Sequence, residues 1–141
     1  MKRFTAAVLA AIVFAIIYSS ISYIPDSQRE ANVYYFGFFE TFAFVVLYSG
    51  PVFLVNGIPV SIMIDNIIER TTLHSAKVRY LKKMAVYSVT GLLAGTAFIF
   101  VLMPVYHPAS IIFSYALMGF VAANIYYHLL LAMNKRRYRA E

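Results

Sequence analysis

Cysteine and tryptophan are absent, and charge is scarce: of 141 residues only 13% are Asp, Glu, Lys or Arg, and six are acidic. Without cysteine there is no disulfide framework, no thiolate metal site and no cysteine nucleophile. The low charge, set beside 62% hydrophobic residues, excludes a disordered chain. It also departs from the soluble average of about 45–50% apolar and about 25% charged. A soluble domain of this length leaves too much of its area in water to bury so much apolar surface, whereas a bilayer accepts it. Catalytic patterns are missing as well. There is no Gly-rich phosphate loop, no G-x-S-x-G elbow and no H-E-x-x-H helix. His74, His107 and His128 have no ligand spacing. The expectation is a protein that is not an enzyme and holds no cofactor or metal.

What charge there is falls in blocks. Lys2 and Arg3 precede the first apolar run, Arg70, Lys77, Arg79, Lys82 and Lys83 lie in one central polar stretch, and Lys135, Arg136, Arg137 and Arg139 close the sequence. Those are eleven of the twelve basic residues; only Arg29 falls elsewhere. The positive-inside rule predicts this asymmetry for a cell-membrane protein that crosses an even number of times with both termini cytoplasmic. Lys77, Arg79, Lys82, Lys83, Lys135, Arg136 and Arg137 are accordingly expected to face anionic lipid headgroups, at about 1 kcal/mol each near the surface. Nucleic acid is not the expected partner of the tail 134–141, because short basic flanks are the usual stop signal of a spanning helix.

The apolar runs predict an all-α membrane domain of four transmembrane helices in an antiparallel bundle, with spans at about 4–24, 34–56, 84–105 and 111–133. The first run, Phe4 to Ile24, is uncharged and supplies the ~20 residues a hydrocarbon core needs. It exceeds the roughly 7–15 apolar residues of a signal peptide and is expected to remain as a helix. The second run extends to Ile68, too long for one ~30 Å crossing at 1.5 Å per residue. Gly57-Ile58-Pro59 predicts a break, since glycine loosens a helix and proline removes a donor. A short interfacial helix would follow, with Val60, Ile64, Ile67 and Ile68 facing lipid or protein and Asp65 and Glu69 facing water. A tilted continuation of the span is the rival reading. Segment 57–83 is thus interfacial or cytoplasmic, and its end is free of breakers and can extend the third helix.

Polar and small residues within the spans carry the remaining information. Glu40 is either a proton- or cation-binding carboxylate facing a polar interior, or a side chain reaching water near the membrane boundary. Pro51, Gly57 and Pro59 interrupt the second run, which either kinks it or frees carbonyls for an ion. Gly91 and Gly95 have the small-xxx-small spacing that packs against another span or another subunit. Asn124 and His128 share a helix face and fit either a proton relay with a carboxylate or an interfacial position beside Tyr126 and Tyr127. Tyr18, Tyr23, Tyr34, Tyr35 and Tyr106 are expected to anchor one membrane boundary, and Tyr80, Tyr87, Tyr126, Tyr127 and Tyr138 the other.

The stretch Pro51-Val52-Phe53-Leu54-Val55-Asn56-Gly57-Ile58-Pro59-Val60-Ser61, followed by Asp65, resembles small four-span integral membrane proteins of Gram-positive bacteria. That resemblance implies the four-span plan and carries over no catalytic residue. In size and span count the chain is also similar to small multidrug transporters, which implies a dimer around a carboxylate. Their glutamate lies in the first span, whereas here Glu40 opens the second. The function expected is non-enzymatic, through interactions within the bilayer or at its cytoplasmic face, with a second copy or another membrane protein as partner. The alternative is a small proton- or cation-coupled transporter or channel using Glu40 and the broken second helix.

Overall fold

A computed structural model describes residues 1–70, 75–102 and 108–135, and every regular element among them is helical. Helix α1 spans Lys2–Ser22. It carries a face of small residues: Ala6, Ala7, Ala10, Ala11, Ala15 and Ser19 are each at most 3% exposed. The spacing of four along Ala7, Ala11, Ala15 and Ser19 puts these residues on one face, and the absent side-chain bulk lets neighbouring backbones come close.

The chain becomes extended at Tyr23, where α1 ends, and Pro25 disfavours a return to helical geometry at Ile24. One tight helical turn, Asp26–Gln28, follows. Arg29 pairs with Asp26 at 2.7 Å, donates to the Ile24 carbonyl at 3.0 Å and lies about 6 Å from the rings of Tyr23 and Tyr35. The isolated arginine is therefore absorbed by its own loop. Asn32 takes φ 66°, a left-handed conformation that asparagine tolerates better than most residues.

Helix α2 spans Phe38–Val52, helix α3 spans Ile58–Glu69, and a wider π-helical turn, Phe53–Gly57, joins them. The expected break at Gly57 does not occur: its φ is −63° and ψ −41°, ordinary helical values. The reason is the widened turn. An α-turn would drive the Pro59 ring into the carbonyl four residues earlier, and one extra residue in the turn relieves that clash while the helix continues. The helical run begins at Phe38 rather than Tyr34, after Gly37. In α3 it is the aspartate that departs from the expectation. Ile64 and Ile68 are buried and Ile67 is 59% exposed, while Asp65 is paired with two cations instead of facing water alone.

Helix α4 spans Ala76–Leu102 and takes up the basic segment from Lys77 onward; helix α5 spans Ala109–Lys135. Among the described residues, four stretches are long and apolar enough to cross a membrane: Lys2–Ser22, Phe38–Ile68, Lys77–Val101 and Ala109–Asn134. Helices α4 and α5 form the most extensive pairing, and α1 packs on α2, α3 and α5.

The α4–α5 contact is set by glycine. A Cβ on Gly91 would lie 2.6 Å from the Ala123 Cβ, and one on Gly95 would collide with the Tyr115 carbonyl oxygen. Gly119 answers from α5, where a Cβ would strike the Gly91 carbonyl oxygen. The small face seen in the sequence is thus occupied by α5 of the same chain. Below this contact the space is filled by rings. Phe14 meets Phe53, Phe53 stacks on Tyr126, Tyr126 meets Tyr87, and Tyr87 stacks on Tyr127 at 4.9 Å between centroids. Tyr87, Tyr126 and Tyr127 are 3%, 2% and 4% exposed. They belong to the core rather than to the interfacial belt expected for them, because each packs against at least two other rings.

Replacing Gly119 by Leu should destabilise the detergent-solubilised protein by about 1–3 kcal/mol or more of overpacking, read as a lower thermal midpoint. Gly57→Ala should not lower it, since the added Cβ meets Tyr126 and Phe53 at ordinary 3.8–3.9 Å contacts on helical backbone.

Candidate functional site

The site begins with one acidic residue on an apolar helix. Asp65 lies on α3 between the buried Ile64 and Ile68, and an unpaired carboxylate among apolar neighbours is costly. Two cations from distant parts of the sequence meet it. The Arg3 Nη2 of α1 donates to Oδ2 at 2.8 Å, and the Lys83 Nζ of α4 donates to Oδ1 at 2.5 Å. Each oxygen therefore has its own cation, and one residue ties three helices. The side chains of Asp65, Lys83 and Arg3 are 19%, 22% and 33% exposed, so the carboxylate is the most covered member.

One turn earlier on α3 is Ser61, fully buried. Its hydroxyl donates to the Ile58 carbonyl at 2.7 Å and accepts from the Tyr126 hydroxyl at 3.3 Å. One turn beyond Lys83 on α4 is Tyr87, in the ring stack. The ion pairs thus cap a layer of hydroxyls and rings contributed by α3, α4 and α5. That arrangement can hold helix ends in register and present a cationic patch. Among the described residues no group of three or more His, Cys, Asp or Glu is placed to hold a metal ion.

A second set of polar contacts lines the α4–α5 contact. The Asn124 amide donates to the Ser88 hydroxyl at 3.0 Å and to the Phe120 carbonyl at 2.9 Å. The His128 Nδ1 faces the Asn124 carbonyl at 2.8 Å and Nε2 faces the Tyr80 hydroxyl at 3.1 Å. A carbonyl only accepts, so the proton of a neutral ring sits on Nδ1, and the Tyr80 hydroxyl donates to Nε2. Tyr127 donates to the Tyr80 carbonyl at 3.3 Å. Asn124 and His128 do share a face, and both side chains reach across to α4.

Glu40 sits apart from them, in the first turn of α2. Its carboxylate accepts from the Gly37 N–H at 2.9 Å and from the Tyr34 hydroxyl at 2.9 and 3.0 Å. The Gly37 contact is the reach-back bond of a capping box, satisfying a donor that the helix start leaves free. The Tyr34 hydroxyl, which precedes α2, is held above the ordinary phenol range, first by the hydrogen bond it gives Glu40.

Of the residues expected at lipid headgroups, Lys77, Arg79 and Lys82 are exposed on α4, whereas Lys83 turns inward to Asp65. Arg136, Arg137 and the side chain of Lys135 lie outside the described residues. The Asp65 junction and the alanine face of α1 were not singled out from the sequence as a site. The available signals were a lone aspartate in an apolar helix and small residues repeating every four positions. No protein-family model, curated protein or solved structure matches the chain.

Asp65→Ala strands two partly covered cations and should cost about 1–3 kcal/mol, discounted from a fully buried pair by its exposure. Combining it with Arg3→Met and Lys83→Met should recover part of that loss. Additive losses across all three positions, read by thermal unfolding in detergent, would show that the residues are not coupled.

Proposed function

We propose that this chain is a non-enzymatic, four-span protein of the cell membrane, an antiparallel bundle with both termini cytoplasmic, acting through contacts in the bilayer and at its cytoplasmic face. The observation that carries the reading is the meeting of Arg3, Asp65 and Lys83. Arg3 lies in the first turn of α1, Asp65 near the end of the α2–α3 run and Lys83 in the early turns of α4. A chain whose start, second return and third departure share one end runs up, down and up. Tyr80 beside His128 brings the end of α5 back to the same place. Along α4 and α5, Ser88 pairs with Asn124 and Gly95 with Tyr115, so one number rises as the other falls.

The same end gathers Lys2, Arg3, Lys77, Arg79, Lys82 and Lys83, as the positive-inside rule requires of a cytoplasmic face. The opposite end holds Arg29, neutralised by Asp26. Large apolar side chains point outward along the spans, including Phe39, Leu47, Val55, Leu93 and Val101, as lipid-facing surfaces do. On this reading Asn124 and His128 lock α4 to α5, and Glu40 secures the start of α2.

An impermeant thiol reagent added to intact cells should modify Ser27→Cys and leave Ser75→Cys untouched; labelling of Ser75→Cys would overturn the orientation. In reconstituted vesicles Glu40→Gln should leave proton permeability at the level of the unmodified protein. Glu40-dependent flux would replace this reading with a transporter.

A further inference from the structure

We propose that Arg3 and Lys83 form a binding site for a phosphate group, and that the headgroup of an anionic phospholipid is its source. The choice of source rests on the membrane placement proposed above; the phosphate chemistry rests on the ion triad alone. Two cations share a single carboxylate, so the cluster keeps a net positive charge. Arg3 commits one of its five N–H donors to Asp65, and Lys83 one of its three. The unspent donors lie on the more open members of the triad. Arg3 is 33% exposed against 19% for Asp65, so an approaching anion meets guanidinium before carboxylate.

Asp65 has a second effect. It holds two long side chains, from α1 and α4, on one centre, so their rotamer freedom is already reduced before a ligand arrives. A guanidinium fork and an ammonium point charge converging from neighbouring helices suit the oxygens of a phosphate. Basic clusters between helices at a cytoplasmic surface are where such headgroups are bound. Lys77 and Lys82 differ. They are exposed on α4, and among the described residues no carboxylate gathers them, so they attract anionic surfaces without forming a built site.

The test uses the full chain in a neutral detergent, with bound ligand read by native mass spectrometry. The probes are phosphatidylglycerol, phosphatidylcholine and inorganic phosphate, each titrated separately. One phosphatidylglycerol should be retained in preference to phosphatidylcholine. Arg3→Gln and Lys83→Gln should each weaken it about tenfold or more, the scale of one charge-assisted contact. Lys83→Arg, which keeps the cation, should retain binding and guards against a mere folding defect. Lys77→Gln and Lys82→Gln should change it less than about twofold. Inorganic phosphate bound as tightly, with the same dependence on Arg3 and Lys83, would keep the phosphate site and move its source from lipid to solution. Equal losses from Lys77→Gln and Arg3→Gln, or no preference for phosphatidylglycerol, would overturn the proposal. Release of the chain from membranes by alkaline carbonate is a separate readout, and would count against the membrane placement rather than the site.

Discussion

A carboxylate on an apolar helix has few ways to remain charged, and Asp65 uses one of the more demanding. Each of its oxygens faces a different cation, one from the start of α1 and one from α4. Meeting both requires three helix ends to arrive at one point. The constraint propagates from there. One turn away, Ser61 and Tyr126 share a hydrogen bond in a fully covered position. The stack through Tyr87 and Tyr127 then fills the space where α4 and α5 part. Partly covered ion pairs contribute little net stability on their own. Their larger effect is to reject arrangements that would leave any member of the triad alone.

Bulk is distributed unevenly through the bundle. Where backbones touch, the residues are glycine or alanine: Gly91, Gly95 and Gly119 between α4 and α5, and the alanine face of α1. Where they part, aromatic rings fill the space from Phe14 through Phe53 to Tyr127. Phe53 enters that stack from the π-helical turn. The turn that accommodates Pro59 therefore also supplies the ring that links α1 to α5.

The two ends of the helices differ electrostatically. One gathers the cations and leaves an excess of positive charge around Asp65. The other holds Glu40 as a helix cap and Arg29 within its own loop. The Arg3–Lys83 pair lies at that cationic end.

The all-helical class and four apolar helices were legible in the sequence, because uncharged runs of about 20 residues admit few other structures. The Gly91 and Gly95 spacing likewise announced a close contact, and the shared face of Asn124 and His128 follows from helical periodicity. The partners were not legible. Nothing local distinguishes a Lys83 that turns to Asp65 from Lys82 beside it, or a tyrosine bound for a ring stack from one at an interface. The course of the helix through Gly57 and Pro59 was also undecidable locally, since a proline clash is relieved equally by a break or by a widened turn. Composition and periodicity are properties of one segment and determined where helices form and which of their faces are small. The pairing of Asp65, the occupant of the glycine face and the burial of Tyr87, Tyr126 and Tyr127 were decided only by the tertiary structure. Each depends on residues tens of positions away, brought within a few ångströms by packing.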